Sequence, residues 1–331
     1  MSAIWIFLCF ALATSVCWLT KRAGVLDHPN HRSSHSRPTP RGGGLGILAA
    51  LGLGLIPALQ AGLDIRPAAM AALGFGLLGL ADDLLALGTW LKFGVVIVLG
   101  SLLVWLTGTV AAIGAGDALA VPLPVWLGFG GSVLWVFVVA NAVNFMDGSD
   151  GLIVAIFVPV GLALGLTGGG AGGYAGYALA AGLAGFAIFN VPRAFLFLGD
   201  VGSLAIGGMF AAIALQRIET PGEVWLYPLL ILPVLADVLL TLVGKIRNGI
   251  GFLSPHRTHA YQLLSRMGWP HWRVALAYFI ASSLCAVMAM LGAALGGVVP
   301  FAMFAGAVVV ATLLHAVIRR QAIRSGLDLK A

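Results

Sequence analysis

The chain has 331 residues, a net charge of +6 and a mean hydropathy of +1.03, with 60% of its residues hydrophobic and 9% charged. Those proportions exclude a soluble globular domain and predict an all-α, polytopic membrane protein. They exclude an outer-membrane barrel as well, because its strands read as short alternating segments and the apolar runs here are continuous.

In chain order, eleven runs of about 16–22 residues are long enough to cross hydrocarbon at ~1.5 Å per residue. They lie at about 2–20, 44–61, 67–82, 92–108, 125–143, 152–167, 174–190, 201–216, 224–244, 273–293 and 299–318. The first opens on MSAIWIF with no basic segment ahead of it, and Lys21 and Arg22 follow it. This predicts an uncleaved first helix with a periplasmic N-terminus, and hence a cytoplasmic C-terminus. Only Arg66 and Arg217 are then basic residues left outside. Sidedness thus accounts for the positive charge, and neither nucleic acid nor another anionic partner is needed to explain it.

Two inner connections are long. Residues 21–43 are too rich in Pro, Ser, His and Arg to pack a core. Residues 245–273 include THAYQLLSRMGW, a candidate short amphipathic helix at the interface. The other loops are tight and no repeat is visible, so residues 1–331 read as a single domain. The glycine-rich stretch Leu166–Tyr177 reads as a loop plus a close helix contact. Cys9, Cys17 and Cys285 lie in apolar runs with no metal-ligand or disulfide spacing.

Ionisable groups near membrane depth mark functional sites by default. Asp82 and Asp83 close the third run, where adjacent carboxylates repel unless neutralised and acids oppose the helix dipole. In NAVNFMDGSDGL (Asn141–Leu152), Asn144, Asp147 and Asp150 recur every three residues. A helical continuation would give them one face and aim oxygen ligands at Mg²⁺, and turn chemistry is the plain alternative. Asp200 opens the eighth run as a metal ligand or an N-cap. Lys92, at the start of the fourth, neutralises phosphate or anchors the interface. Asp237, midway along the ninth, is either a helix-bridging hydrogen-bonder or functional. His256, Arg257 and His259, in the last inner loop, are phosphate binders or merely solvated. All but Asp237 fall on the inner side, as a metal-assisted phosphate site built from helix ends would. A secondary transporter is the rival, but it needs mid-membrane charges in several helices and only Asp237 qualifies.

In this order the clusters resemble those of the polyprenyl-phosphate N-acetylhexosamine-1-phosphate transferases, glycosyltransferase family 4. The resemblance rests on DHPNHRSSHSRPTPRGGG, GLADD, Lys92, NAVNFMDGSDGL, FLGDVGS, the Asp237 run and SPHRTHAYQ, over roughly 26–262. It implies a Mg²⁺-dependent enzyme of the bacterial inner membrane, with Mn²⁺ the alternative metal. Such an enzyme transfers an N-acetylated sugar-1-phosphate from a UDP-sugar to undecaprenyl phosphate at the cytoplasmic face and releases UMP. The resemblance also implies roles. Asp82 and Asp83 lie near the lipid phosphate, and Asp83 with Asp200 at the metal. Asp147 and Lys92 belong to the catalytic set. Asn144, Asp150, His256, Arg257 and His259 bind substrate. Direct attack by the lipid phosphate is favoured over an aspartyl-phosphate, with both left open, as is a homodimer. The chain departs from the commoner pattern at His259–Gln262, where His-Ala-Tyr-Gln replaces His-x-His-His, and at His256, where an Asp is commoner. The variant resembles the branch that initiates pseudomonad-type O-antigen, which implies a 6-deoxy-N-acetylhexosamine donor. The His256–Gln262 loop is therefore expected to select the donor, with Tyr261 and Gln262 reading the sugar.

Overall fold

The computed structural model describes residues 1–23, 26–27, 38–116, 119–251, 254 and 256–329. Arg32, Arg37 and Lys330, counted among the inner charges, lie outside the described residues, as does 28–37 of the first long connection. The helices are α1 (Ala3–Ala23), α2 (Gly44–Gln60), α3 (Arg66–Leu85), α4 (Thr89–Thr107), α5 (Val125–Met146), α6 (Leu152–Leu166), α7 (Gly170–Asn190), α8 (Asp200–Arg217), α9 (Leu226–Leu230), α10 (Leu232–Arg247), α11 (Ala260–Arg266), α12 (His271–Leu295) and α13 (Val299–Arg324). Two small antiparallel hairpins are added to the expected helices: β1 (Leu26–Asp27) with β2 (Thr39–Pro40), and β3 (Ala112–Gly114) with β4 (Ala120–Pro122).

A helix lies at each of the eleven apolar runs. By length and composition, seven helices among the described residues can cross a membrane, or up to eight if a bent pair counts as one span. For three of the four runs that make up the difference from eleven, all but α8, the physical source is plain. At 17 and 15 residues, α2 and α6 reach only ~26 and ~22 Å against ~30 Å of hydrocarbon. The bent pair is the ninth run, where Glu223–Leu230 and Leu232–Arg247 meet at 79°. Pro233 opens α10 in its first turn, where a missing N–H is tolerated, so the chain restarts in a new direction there.

The bundle closes around α8, which is buried continuously from Val201 to Leu215 and packs on α3 and α5. Small residues allow this. Gly207 lies against the Ala140 backbone, and Gly208 against the Phe75 ring. Between membrane helices, close backbone approach replaces the hydrophobic driving force that water would supply. The N-terminus of α8 is therefore fixed from several sides, and the polar clusters gather there.

Candidate active site

Gly79 on α3 faces the head of α8, and a Cβ there would overlap the Asp200 carbonyl and the Val201 amide. One turn further along α3, Asp83 reaches the unpaired N–H groups of α8. Its Oδ1 accepts from Asp200 N at 3.2 Å and its Oδ2 from Val201 N at 3.1 Å. Gly199, at φ 77°, lies so close to Asp83 Oδ2 that a side chain would collide. Arg41 completes the surroundings, donating to the Asp83 carbonyl and standing 3.6 Å from Oδ1. Its segment is zipped to the chain ahead of α8. Phe197 N–H donates to Pro40 O at 2.8 Å, and Gly43 and Gly44 N–H donate to Phe197 O and Leu198 O at 2.9 and 2.8 Å. The PTPRGGG and FLGD motifs thus form one unit.

Asp82 points the other way. Its Oδ1 accepts from Leu87 N–H at 2.8 Å in the turn into α4, and its Oδ2 accepts from Lys92 Nζ at 2.7 Å. The same Nζ reaches Asp200 Oδ2 at 3.2 Å, so Lys92 spans two carboxylates rather than snorkelling to water. At the end of α5, Asn144 donates to Ser203 Oγ on α8 at 3.0 Å. Asp147, in the turn beyond α5, faces Asp200 and Asp83. Burial first, and then those two carboxylates, push it up to about 8. Asp82, Asp83, Lys92, Asn144, Asp147 and Asp200 therefore meet at one end of the bundle.

Asp150 stands apart. The helix ends at Met146 and Gly151 turns back at φ 73°, so the continuation that would align Asn144, Asp147 and Asp150 does not form. Asp150 Oδ2 instead accepts from Ala194 N–H at 3.1 Å and lies 3.4 Å from His271 Nδ1. Its side chain is taken up by a junction between three connections.

The histidine loop arrives from α10 and α11. Asp237 Oδ1 accepts from Ala260 N–H at 2.7 Å, and Oδ2 from Tyr261 N–H at 3.2 Å and Tyr278 Oη at 2.6 Å. His259 Nδ1 stands 3.4 Å from Oδ1. The separation of Asp237 from the other clusters is thereby corrected: six residues past the bend at Ile231, it is buried under the first turn of α11. The transporter reading loses the one acid it had. His259 is likewise buried rather than solvated, with its ring 6.4 Å from that of Phe145 and 4.9 Å from that of His256. Phe145 follows Asn144 directly, so this loop borders the cluster. His256 Nδ1 lies 3.1 Å from Lys245 Nζ. Burial, then His259 and Lys245, hold His256 down to about 4, which leaves it neutral at pH 7. It can donate to a phosphate but not neutralise one. Arg257 is half-buried beside it.

Tyr261 and Gln262 have partners within the fold. Tyr261 is buried and donates from Oη to Phe145 O at 3.1 Å, while Gln262 Oε1 accepts from His259 N–H at 3.2 Å. Tyr261 ties the loop to α5, and Gln262 closes the first turn of α11. Tyr261→Phe should therefore remove about 1 kcal/mol of stability, a drop of a few degrees in melting temperature, and leave donor preference unchanged. A shifted ratio of UMP release among donors would show that the hydroxyl reads the sugar after all. Sequence reasoning also overlooked Arg41, Tyr278 and His271. Arg41 was visible as the lone cation ahead of three glycines. The other two lie in an apolar run and at its edge, where no local pattern marks them.

Among the described residues no three His, Cys, Asp or Glu side chains form a metal cage. Mg²⁺ that keeps its waters and takes phosphate oxygens needs only one or two carboxylates. Asp147 and Asp200 provide them, in a pocket of negative charge offset by Lys92 and, beside Asp83, by Arg41, and so fit such an ion. Asp83, expected at the metal, has both oxygens occupied by the α8 amides.

Residues 66–217 match the family described as glycosyl transferase family 4. A phospho-N-acetylmuramoyl-pentapeptide-transferase of Heliobacterium modesticaldum is 32% identical over 285 residues, covering 76% of this chain and 83% of that protein. A decaprenyl-phosphate N-acetylglucosaminephosphotransferase of Mycobacterium leprae is 31% identical over 306 residues, 79% of this chain and 75% of that protein. A second phospho-N-acetylmuramoyl-pentapeptide-transferase, of Moorella thermoacetica, is 34% identical over 245 residues, 66% of this chain and 72% of that protein. The matched 66–217 carries all six residues of the cluster and stops short of Asp237 and the histidine loop.

Proposed function

This chain belongs to the polyprenyl-phosphate N-acetylhexosamine-1-phosphate transferases, and from that membership we propose that it moves an N-acetylated sugar-1-phosphate from a UDP-sugar to undecaprenyl phosphate, releasing UMP. The observation that carries the reading is Lys92, held between Asp82 and Asp200 beside Asn144 and Asp147. An oxygen of the lipid phosphate attacks the β-phosphorus of the donor. A P–O bond forms, the α–β anhydride breaks, and UMP leaves with its electron pair. One anhydride replaces another, so the obstacle is bringing anions together. Lys92 offsets their charge, while Asp82 orients the acceptor and takes its residual proton. A phosphate monoester with a second pKa of ~6 is mostly dianionic at neutral pH, which favours direct attack. Arg257, and Nε2 of His259, face the donor phosphates. Asp200 and Asp147 would hold Mg²⁺, which when bound supplies further charge neutralisation at the phosphates.

The donor is a 6-deoxy-N-acetylhexosamine and the product initiates O-antigen or a related envelope polysaccharide; the support is the resemblance of the His-Ala-Tyr-Gln variant at His259–Gln262 to that branch, not a contact from the Tyr261 or Gln262 side chain. With the short α2 and α6, α8 and the bent α9–α10 pair each counted as a crossing, the chain passes the inner membrane eleven times with its N-terminus periplasmic and its site cytoplasmic, where UDP-sugars are made. The charge asymmetry, with Arg66 and Arg217 alone outside, supports that placement.

The test is to incubate purified protein with undecaprenyl phosphate, Mg²⁺ and a panel of UDP-N-acetyl sugars. UMP and lipid-linked product are expected, greatest with 6-deoxy donors and with measurable leakage to UDP-N-acetylglucosamine, since apolar pockets reject an added hydroxyl by only ~10²-fold. No UMP from any donor overturns the reading. For sidedness, cysteines replace the exposed residues Gly88, Asn248 and Gly169 in a background lacking Cys9, Cys17 and Cys285. In intact cells the first two should be shielded from impermeant reagent and the third labelled. Labelling of Gly88→Cys and Asn248→Cys from outside would reverse the topology.

A further inference from the structure

Asp237 is 3% exposed and lines an otherwise largely apolar cavity of about 380 Å³ between α10, α11, α12 and α13. Packing gives no reason for a carboxylate in that wall, since an aliphatic side chain would fill the space without the desolvation cost. What the carboxylate does is gather donors from separate elements. The Ala260 and Tyr261 N–H groups come from α11, Tyr278 Oη from α12 and, at 3.4 Å, Thr241 Oγ1 from one turn along α10. The residue that these contacts immobilise is His259, whose backbone immediately precedes the two bonded amides and whose Nδ1 lies 3.4 Å from Oδ1, with the Gln262 backbone N–H facing the same side chain as a competing donor. Tyr261 then ties the same turn to Phe145 O, next to Asn144.

We propose that Asp237 is the positioning residue of the transfer site, holding His259 with Nδ1 toward the carboxylate so that its Nε2 edge is presented beside Phe145 to the donor phosphates. Asp237 touches no substrate. It acts as the carboxylate behind a metal-bound histidine acts, fixing the tautomer and the ring plane from the far side. The likeness to Asp83 is direct. Each is a buried acid on one helix that accepts the first two amides of another helix, and each thereby aims a neighbouring side chain, Asp200 in one case and His259 in the other. What Nε2 meets rests on the transferase reading, whereas the tautomer is a property of the chain alone.

The experiment uses full-length protein labelled with ¹⁵N-histidine, the His259 signals being identified by their loss in His259→Ala. The wild type should show the Nδ1–H tautomer. Asp237→Asn sets an amide NH₂ against donors and should shift His259 toward the Nε2–H form. Tyr278→Phe, which leaves the carboxylate in place, should not. In kinetics, Asp237→Asn should lower kcat about 10–100-fold with the undecaprenyl phosphate KM within about twofold. In a His259→Ala background the same change should cost less than about twofold more, because its effect passes through that ring. A wild-type Nε2–H tautomer overturns the proposal even if Asp237→Asn fails to fold. So does an unaltered tautomer in that variant, or a full additional loss in the double variant. A wild type inactive with every donor would sink the transferase reading and leave the tautomer result standing.

Discussion

Asp200→Asn should lower Mg²⁺-dependent UMP release by on the order of 10³-fold while the protein remains folded. The separation of effects follows from which atoms do what. The Asp200 backbone N–H, not its side chain, bonds Asp83, so the head of α8 stays anchored after the substitution. Lys92 keeps its 2.7 Å bond to Asp82. The change removes one carboxylate charge from a cluster in which Lys92 holds Asp82 and the α8 amides hold Asp83, which leaves Asp147 to share a cation. Removing the divalent ion from wild type with a chelator should reproduce the loss, and adding Mn²⁺ or excess Mg²⁺ should restore the wild type but not the variant. UMP release within about twofold of wild type would take Asp200 out of the metal site and leave it as the partner of Lys92 alone.

The positions of the helices were legible because hydrophobicity in a membrane protein is written into every residue of a span. The bend at Ile231 was not. Pro228 and Pro233 are both tolerated within membrane helices, and a 79° change of direction depends on the elements packed around them. Within the site, residues at helix ends were legible. Asp82, Lys92, Asn144 and Asp200 lie at or next to helix termini, where a charge breaks the apolar pattern visibly. Asp150 was misread because the spacing of three presumes that the helix continues, while Gly148 and Gly151 favour the turn. Asp237 was readable only as an isolated acid, because its principal partners are backbone amides 23 and 24 residues further on. No side-chain pattern announces a backbone donor. Tyr261 and Gln262 show the limit from the other side: a departure from a commoner motif points to the sugar, while in the fold Tyr261 ties the loop to α5 and Gln262 closes the first turn of α11.

Gly79→Ala should destabilise the protein and lower turnover about 10²-fold, whereas Gly94→Ala should do neither. On intrinsic propensity alone both substitutions favour a helix, by about 1 kcal/mol. Gly94 on α4 is exposed and a Cβ there meets nothing within 4 Å, so the propensity gain should appear as an unchanged or slightly raised melting temperature. At Gly79 the added carbon overlaps the Asp200 carbonyl and the Val201 amide. That backbone cannot yield cheaply, because Asp83 holds it at 3.2 and 3.1 Å and the Phe197–Leu198 segment ahead of it is bonded to Gly43 and Gly44. Overpacking of this kind costs ~1–3 kcal/mol, enough to reverse the sign of the propensity effect. Relief comes only by moving α3 away from α8, and that motion draws Asp82 and Asp83 off Asp200 together. A displacement of ~1 Å at reacting groups is worth about 10² in rate. Melting curves and UMP release for the two variants in one detergent decide the matter. If Gly79→Ala matched Gly94→Ala in both, α3 and α8 would not be in contact at the site, and the junction that seats Asp83 on the head of α8 would have to be abandoned.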